Sequence, residues 1–195
     1  MARDAEQTRQ RIFEAATAEF ADHGIAGARI DRIAAAAPAN KQLIYAYFGS
    51  KRQLFEAVVS EHVCRFLDEV PFDPQRLPDF AAAAFDYFAA HPEVMHLGSW
   101  HSLEPGETEH RIPVIERAIR TRSRLVSRAQ TAGCVDRSIA AADLLALLTA
   151  IASAWAVATP ARNPRGGVSA RVQARRRAAV VELARRLVAP RSPAR

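Results

Sequence analysis

A short segment between residues 40 and 51 carries side chains suited to hydrogen bonding with the bases and backbone of a nucleic acid. It reads Asn-Lys-Gln-Leu-Ile-Tyr-Ala-Tyr-Phe-Gly-Ser-Lys. Lys41 can donate to O6 and N7 of guanine, and Gln42 can pair with N6 and N7 of adenine. Tyr45 and Tyr47 can place their hydroxyls on phosphates or their rings against thymine methyl groups. For Tyr45, packing against the long helix that follows is an equally good interpretation.

Two short helices and a tight turn are predicted to position these side chains. Helical spacing favours a helix over 30–37, which Pro38 must break because proline cannot continue a helix. Asn40 is a preferred helix cap, so a second helix should run from there to about Tyr47 and end at Gly49. This is the helix-turn-helix arrangement, in which the second helix enters the major groove and the first crosses the DNA backbone.

A longer helix on each side completes this unit. Asp4 and Gln7 have capping-box spacing and predict a first helix that begins at Asp4 and ends at Gly24, while a second capping box opens a long helix over 50–69. Arg29 opens the second helix and is suited to contact the DNA backbone, as are Arg3, Thr8 and Arg9 on the first. The apolar residues predicted to form the core are Ile12, Phe13, Ala16, Phe20, Ile33, Ile44, Phe48 and Leu54.

Several of these residues form spaced motifs. They are Thr8-Arg9-x-x-Ile12-x-x-Ala15-Ala16, Phe20-x-x-x-Gly24, Ile33-Ala34 and Asn40-Lys41-x-x-Ile44-Tyr45-x-Tyr47-Phe48-Gly49-Ser50-Lys51-x-x-Leu54. The motifs resemble the TetR/AcrR family of transcriptional regulators over about residues 8–56, most strongly over Ile44–Lys51. The resemblance implies a homodimeric regulator, usually a repressor, with an effector pocket in the C-terminal domain. It also implies a dimer interface formed by the last two long helices.

The resemblance adds one site residue and exposes three departures. Lys51 matches a family position that contacts phosphate, whereas Gln42 replaces a small residue and Ala28 replaces a Ser/Thr cap. Pro38 stands where the family usually has glycine. Since proline disfavours positive φ, we expect this turn to close by another backbone path, such as one starting a residue early. The residues expected to face double-stranded DNA are Arg29, Asn40, Lys41, Gln42, Leu43, Tyr45, Tyr47 and Lys51.

The remainder of the chain is also predicted to be helical, which makes the fold class all-α. Helices are expected over about 79–90, 92–103, 111–132, 138–158 and 169–188. We divide the chain into a helix-turn-helix DNA-binding domain over 1–50 and a ligand-binding and dimerisation domain over 51–195, linked by the long helix from about 51 to 69. The apolar stretch Ile139–Thr159 is interrupted by polar residues and diluted by alanine, so we place it in a core or subunit interface rather than a membrane.

The last two long helices carry apolar surfaces suited to a homodimer. The residues concerned are Leu144, Leu145, Leu147, Leu148, Ile151 and Trp155 on one helix and Val180, Val181, Leu183, Ala184 and Leu187 on the other. Two helices from each subunit would build a four-helix interface. Such a dimer would present its recognition helices about 34–36 Å apart.

A small-molecule effector is the third expected partner. Its pocket is predicted from Phe85, Phe88, Met95, His96, Trp100 and Trp155, with the alternative that the aromatic residues are simply core. Since residues 66–161 carry more acidic than basic side chains, we expect an apolar or aromatic compound rather than a polyanion. His91, His96 and His101 are five residues apart, about 140° around a helix, so we expect no metal site and no cofactor.

Composition and missing motifs exclude other classes of function. The sequence pI is about 10.1, but most of the basic excess lies in the arginine-rich residues 162–195. No apolar leader begins the chain and its two cysteines cannot make a disulfide framework, so we expect a cytoplasmic protein. The cysteines also lack the spacing of a zinc site. No enzyme motif is present, and proximity in sequence does not make Ser99, His96 and Glu104 a triad. The predicted function is a ligand-responsive DNA-binding repressor that binds a palindromic operator as a homodimer and is released by a small apolar or aromatic inducer. The alternative is a helical protein-interaction module without sequence-specific DNA binding.

Overall fold

The computed structural model describes residues 2–103, 112–156 and 168–190, without the side chains of residues 2 and 3. Within these ranges every regular element is a helix, which confirms the predicted all-α class. The helices are α1 Ala2–Gly27, α2 Ile30–Ala36, α3 Lys41–Phe48, α4 Lys51–Glu69, α5 Leu77–Ala90, α6 Pro92–Leu103, α7 Pro113–Thr131, α8 Ala141–Ser153 and α9 Ala170–Val188. The predicted helix end at residue 158 and the start of the 111–132 helix lie outside the described residues.

The chain divides into two compact units. The first comprises Met1–Cys64 and Glu93–Ile112, and the second comprises Arg65–Pro92 and Pro113–Arg195. The first unit therefore holds α1 to α3, most of α4 and nearly all of α6. The second holds α5, α7, α8 and α9.

The first helix begins earlier than its predicted cap. Since α1 starts at Ala2, Asp4 lies inside the helix, where its carbonyl oxygen accepts a hydrogen bond from the Thr8 hydroxyl at 2.8 Å. The prediction of a cap at Asp4 is therefore wrong. The predicted helix end at Gly24 is replaced by a break: Gly24 interrupts the helical backbone with φ 63° and ψ 179°, values that glycine adopts without the steric cost of a Cβ, and the helix continues to Gly27.

The turn between α2 and α3 keeps the path that we expected proline to forbid. The Ala39 N–H donates to the Ala34 carbonyl oxygen at 3.0 Å, which is the longer hydrogen bond of a Schellman turn. Pro38 occupies the position of positive φ, at 25°. The expectation of a different backbone path is therefore wrong, because this hydrogen bond and the buried Ala37 hold the turn. The shorter Schellman bond cannot form, since proline has no N–H.

The caps around α3 are confirmed. The side-chain oxygen of Asn40 accepts from the Leu43 N–H at 2.7 Å, and Gly49 ends the helix with φ 80°. Ser50 Oγ accepts from the Gln53 N–H at 3.1 Å and so caps α4. Asn40 and Ser50 each satisfy a backbone donor that the start of the helix leaves unpaired.

The core of the first unit is largely the predicted one. Six of the eight predicted residues are at most 1% exposed: Ile12, Ala16, Phe20, Ile33, Ile44 and Leu54. Phe20 packs edge-to-face on Phe55, with ring centroids 5.2 Å apart. Phe13 and Phe48 are half-buried rather than buried. Burying each large apolar side chain stabilises the unit by about 1.5–3 kcal/mol.

The second unit packs α5 against α8 and α9, and α7 against α8. The eighth helix starts at Ala141, three residues later than predicted, because the Gln130 amide donates to the carbonyl oxygens of Asp136 and Ile139, both at 2.8 Å. These bonds hold residues 136–139 as a loop. Among the described residues, no helix is long and apolar enough to cross a membrane.

An arginine is packed among aromatic rings in the second unit. The guanidinium carbon of Arg122 lies 5.4, 4.8 and 5.2 Å from the ring centroids of Phe66, Phe72 and Phe80. Burial lowers the pKa of this guanidinium. The ring faces offset part of the cost of desolvating the cation.

Candidate nucleic-acid interface

One face of α3 is buried and the opposite face is exposed. Ile44 is 1% exposed and anchors the helix in the core, whereas Lys41 and Gln42 are exposed in the first turn. Tyr45 leaves 45% of its surface exposed, which is too much for a core side chain. The helix therefore offers a lysine, an amide and a phenol to solvent at its N-terminal end.

Lys41 is held by an acidic residue of the preceding helix. Its ammonium forms an ion pair with the Asp31 carboxylate, and both side chains are largely exposed. The hydrogen bond from this ammonium to Asp31 raises the pKa of Lys41. The pairing was not foreseen, because it depends on the angle between α2 and α3. Lys41 must share its protons with Asp31, or leave it, before it can contact a base.

A glutamate of α1 organises the start of α2. The Glu19 carboxylate accepts the backbone N–H of Arg29 at 2.8 Å and the Nε–H of Arg32 at 2.8 and 3.0 Å. Burial raises the pKa of Glu19, but the hydrogen bonds from Arg32 and Arg29 outweigh it and hold that pKa below its ordinary value. Arg29, the cap residue of α2, makes no side-chain capping bond, and its own backbone N–H donates to Glu19 of α1. The Arg29 side chain itself is exposed.

Lys51 and Tyr47 are both engaged by the protein. The Lys51 ammonium donates to the Ala28 carbonyl oxygen at 3.1 Å, next in sequence to Arg29, and keeps two further N–H donors. The Tyr47 hydroxyl donates to the Ala5 carbonyl oxygen at 3.5 Å, which joins α3 to α1. Their DNA contacts remain predictions.

The residues of α1 expected to contact the DNA backbone also contact other residues of the first unit. The Thr8 hydroxyl donates to the Asp4 carbonyl oxygen and accepts from Arg11 Nη2 at 2.9 Å. The guanidinium carbon of Arg9 lies 5.6 Å from the Phe48 ring centroid. The side chain of Arg3 lies outside the described part of the structure.

The second unit contains a cavity of about 330 Å³. Its lining residues are Phe85, Phe88, Ala89, Pro92, Ala152, Trp155, Ala156, Val168, Gln173 and Arg176. Three of the predicted pocket residues, Phe85, Phe88 and Trp155, are therefore brought together. The two polar lining residues, Gln173 and Arg176, were missed because α9 had been assigned to dimerisation.

The other three predicted pocket residues do not line this cavity. Met95, His96 and Trp100 belong to the first unit. The Trp100 indole packs against Gly24 of α1, and its Nε1–H donates to the Ala21 carbonyl oxygen at 3.1 Å. Trp100 therefore has a structural role within the first unit.

The two helices predicted to form a dimer interface divide their apolar residues between core and surface. The buried members are Leu144, Leu145, Leu148, Val180 and Ala184, while Ile151, Trp155, Val181 and Leu187 are half-buried. Leu147 of α8 and Leu183 of α9 are 42% and 46% exposed. Much of the predicted apolar surface is thus buried in the core of the second unit, and two leucines remain exposed to solvent.

Two family models match the chain. Residues 12–58 match the model described as bacterial regulatory proteins of the tetR family, which covers the helix-turn-helix. Residues 76–186 match the model described as the tetracyclin repressor-like C-terminal domain.

Relatives and solved structures agree with these matches. The chain is 48% identical to the HTH-type transcriptional repressor SCO4008 of Streptomyces coelicolor, over 82% of this chain and 83% of the relative. It is 34% identical to the HTH-type transcriptional repressor NicS of Pseudomonas putida, over 54% of this chain and 53% of the relative. Its fold is similar to a crystal structure of the putative transcriptional regulator SCO4942 from Streptomyces coelicolor. That similarity has a TM-score of 0.78 and 36% identity, and it covers 94% of this chain and 99% of that one.

Proposed function

Because this chain belongs to the TetR family of bacterial regulatory proteins, we propose that it is a ligand-responsive repressor that binds a palindromic operator as a homodimer. The observation that carries the proposal is the first turn of α3. It is capped by Asn40 and anchored by the buried Ile44, and it presents Lys41 and Gln42 to solvent. Since a repressor acts on chromosomal DNA, we propose that the protein works in the cytoplasm and regulates transcription rather than catalysing a reaction.

The DNA contacts divide into base reading and backbone positioning. Lys41 and Gln42 stand where a recognition helix meets base edges, and the exposed ring of Tyr45 lies one turn further along. Arg29 and Lys51 place two cations at the start of α2 and are suited to phosphates. Asn40, Leu43 and Tyr47 complete the set of residues that we propose to face the DNA. Asn40 also caps α3, and Tyr47 also joins α3 to α1.

The homodimer is proposed to form through α8 and α9. Leu147 and Leu183 remain exposed after each helix has filled the core of the second unit. Alanines flank them on the exposed faces, at Ala146 and Ala150 on α8 and at Ala179 on α9, which permits close helix approach. A two-fold axis would pair these faces with their own copies and present two recognition helices to one operator.

The cavity of the second unit is the proposed effector site. Its volume lies near the lower end of the range for small-molecule pockets, and aromatic side chains form much of its wall. An effector could favour a dimer conformation in which the helix-turn-helix domains of the two subunits lie further apart. It would then lower the affinity of the dimer for the operator by shifting the conformational equilibrium.

Selection of bound sequences from a random duplex library, with intact protein at physiological salt, tests the DNA-binding proposal. We expect a palindrome with two half-sites. Gln42→Ala should relax the preference at particular base pairs, whereas Lys51→Ala should weaken binding to every sequence and reduce the salt slope by about 1. A folded dimer that recovers nothing beyond random sequence contradicts the proposal and favours the interaction module, whose arginine-rich segment would bind DNA without regard to sequence.

Sedimentation tests the dimer separately. We expect a dimer at micromolar concentration, and Leu147→Glu combined with Leu183→Glu should yield monomers that keep their helical content. A wild-type monomer at that concentration contradicts the proposed interface.

A further inference from the structure

We infer that the effector is an aromatic monoanion, such as an aryl carboxylate, bound in the cavity of the second unit with its ring among Phe85, Phe88 and Trp155 and its charge on Arg176. The inference rests on the proposed function, since it names the chemical class of ligand for that effector site.

The apolar walls determine the ring part of the ligand. Phe85 and Trp155 meet edge-to-face with ring centroids 6.0 Å apart, and Phe88 also lines the cavity. Aromatic faces and edges provide offset-stacked and T-shaped positions for another ring. A volume of about 330 Å³ suits a compact ligand of one or two rings rather than a long chain.

The polar lining determines the charge. Arg176 is the sole charged side chain among the described residues that line the cavity, and Gln173, three residues earlier on α9, is the sole amide. Residues three apart share a helix face, so both reach the same side of the ligand. The described residues of the lining provide one cation and no carboxylate, which disfavours a cationic ligand, and one cation alone does not neutralise a polyanion.

Arg176 is available to an anion in a way that its neighbour is not. Arg177 binds Asp86, with Nε–O distances of 3.0 and 2.8 Å. For Arg176, no ion pair with a carboxylate occurs in the described ranges. Instead, its guanidinium carbon lies 5.3 Å from the Trp155 ring centroid. Stacking on a ring leaves the in-plane N–H groups of a guanidinium open, and their fork geometry matches a carboxylate.

This local charge differs from that of the surrounding sequence. The stretch 66–161 is net acidic and by itself disfavours any anion, but none of its carboxylates is among the described residues that line the cavity. Arg176 of α9 lines the cavity instead. A small anion with an aromatic body satisfies both the aromatic wall and the single cation.

Calorimetric titration of the full-length protein with three matched probes tests the inference: 2-naphthoate, 2-naphthamide and 2-naphthylmethylammonium. We expect naphthoate to bind at least tenfold more tightly than the amide and the ammonium to bind weakest. Arg176→Gln should lower the naphthoate affinity about tenfold and leave the amide unchanged. Arg176→Glu should make the ammonium the preferred probe.

Arg175→Gln is the matched control, because it removes the same charge from an exposed neighbour on the same helix. It should leave the order of the three probes unchanged. The inference is overturned if the amide or the ammonium binds as tightly as naphthoate, if none of the probes binds, or if Arg176→Gln has no effect on naphthoate.

Mobility shift separates this inference from the proposed function. Naphthoate should weaken the complex of the wild-type protein with its selected operator and should not weaken that of Arg176→Gln. If the ligand-free protein binds its operator but the three probes do not bind in the expected order of affinity, the ligand class is wrong and the repressor proposal stands. If operator binding is absent while the order holds, the repressor proposal fails instead.

Discussion

The indole of Trp100 lies against the backbone at Gly24, where α1 breaks, and a Cβ built on that glycine would stand 2.8 Å from two atoms of the ring. The indole N–H donates to the Ala21 carbonyl oxygen at 3.1 Å, so the ring closes over the last regular turn of α1. Gly24 meets two requirements at once, a positive φ and the absence of a side chain. The break in α1 and the packing of α6 in the first unit therefore depend on the same residue.

Gly24→Ala should lower the free energy of unfolding by about 2–4 kcal/mol, since it combines backbone strain with overpacking against the indole. Gly27→Ala is the matched control. Gly27 is helical, and a Cβ there would meet an ordinary contact 3.4 Å from the Cβ of His23. Urea denaturation should show a neutral or slightly stabilising effect for the control. Equal losses in the two variants would contradict the role assigned to Trp100.

Pro38→Gly should raise the stability of the protein. Proline prefers φ near −65°, yet Pro38 has φ 25° in a turn whose glycine-like path is held by the bond from Ala39 to Ala34. Glycine accepts this conformation and restores the missing N–H, while it adds conformational entropy to the unfolded chain. The net gain should be about 1–2 kcal/mol. Thermal unfolding followed by circular dichroism measures it.

Pro78→Gly provides the opposite control for this experiment. Pro78 lies in the first turn of α5, where a fixed φ and a missing N–H are both tolerated. Its replacement should lower stability by about 1 kcal/mol. If both glycine variants are destabilised to a similar degree, the turn at Pro38 carries no strain.

Features that depend on neighbours in sequence were predicted well. The caps at Asn40 and Ser50 and the apolar spacing that buries Ile12 and Ile44 need only local geometry. The assignment of Trp100 to the effector pocket was wrong. Its partner, the carbonyl of Ala21, is 79 residues away along the chain, so the contact could not be predicted from sequence neighbours. No local pattern reports such a contact.

The site shows the same division. The exposed positions of α3 follow from helical periodicity once Ile44 is placed in the core. The ion pair of Lys41 with Asp31 and the binding of Arg29 by Glu19 depend on angles between helices. The sequence shows Arg176 only as one member of the arginine-rich stretch 162–195, and its place in the cavity follows from how α9 packs on α5.

Asp31→Asn should strengthen operator binding. The carboxylate pairs with the Lys41 ammonium and places a negative charge on the helix-turn-helix, so its removal releases the ammonium that we propose to contact bases and lessens repulsion from phosphates. The gain in affinity should be on the order of threefold at low salt and should shrink as salt screens the charge. Fluorescence anisotropy with the selected operator measures it.

Asp22→Asn makes the same change in net charge at an exposed position of α1. This control should change operator affinity less than Asp31→Asn does. Equal gains would mean that net charge, rather than the pairing of Lys41, governs binding.

Glu19→Gln should reveal a carboxylate that stabilises the fold in a pH-dependent way. The pKa of Glu19 is held below its ordinary value of 4.5 by hydrogen bonds from Arg32 and Arg29, which outweigh the effect of burial. A folded-state pKa below the unfolded one contributes stability above the unfolded pKa, and this contribution is lost as the pH falls through the folded pKa. The stabilisation is therefore complete at pH 7 and declines below about pH 4.5.

Urea unfolding of wild type and Glu19→Gln between pH 7 and pH 3.5 tests this sign. The glutamine keeps an acceptor for the Arg29 N–H but loses the charge that binds Arg32, so the variant should be less stable at pH 7. The difference should narrow as the pH falls, because protonation of Glu19 makes the wild type resemble the variant. Glu6→Gln, at an exposed carboxylate 3.8 Å from Arg9, should show no such narrowing. A constant difference between wild type and Glu19→Gln across this range would mean that shape, rather than charge, holds Arg32 in place.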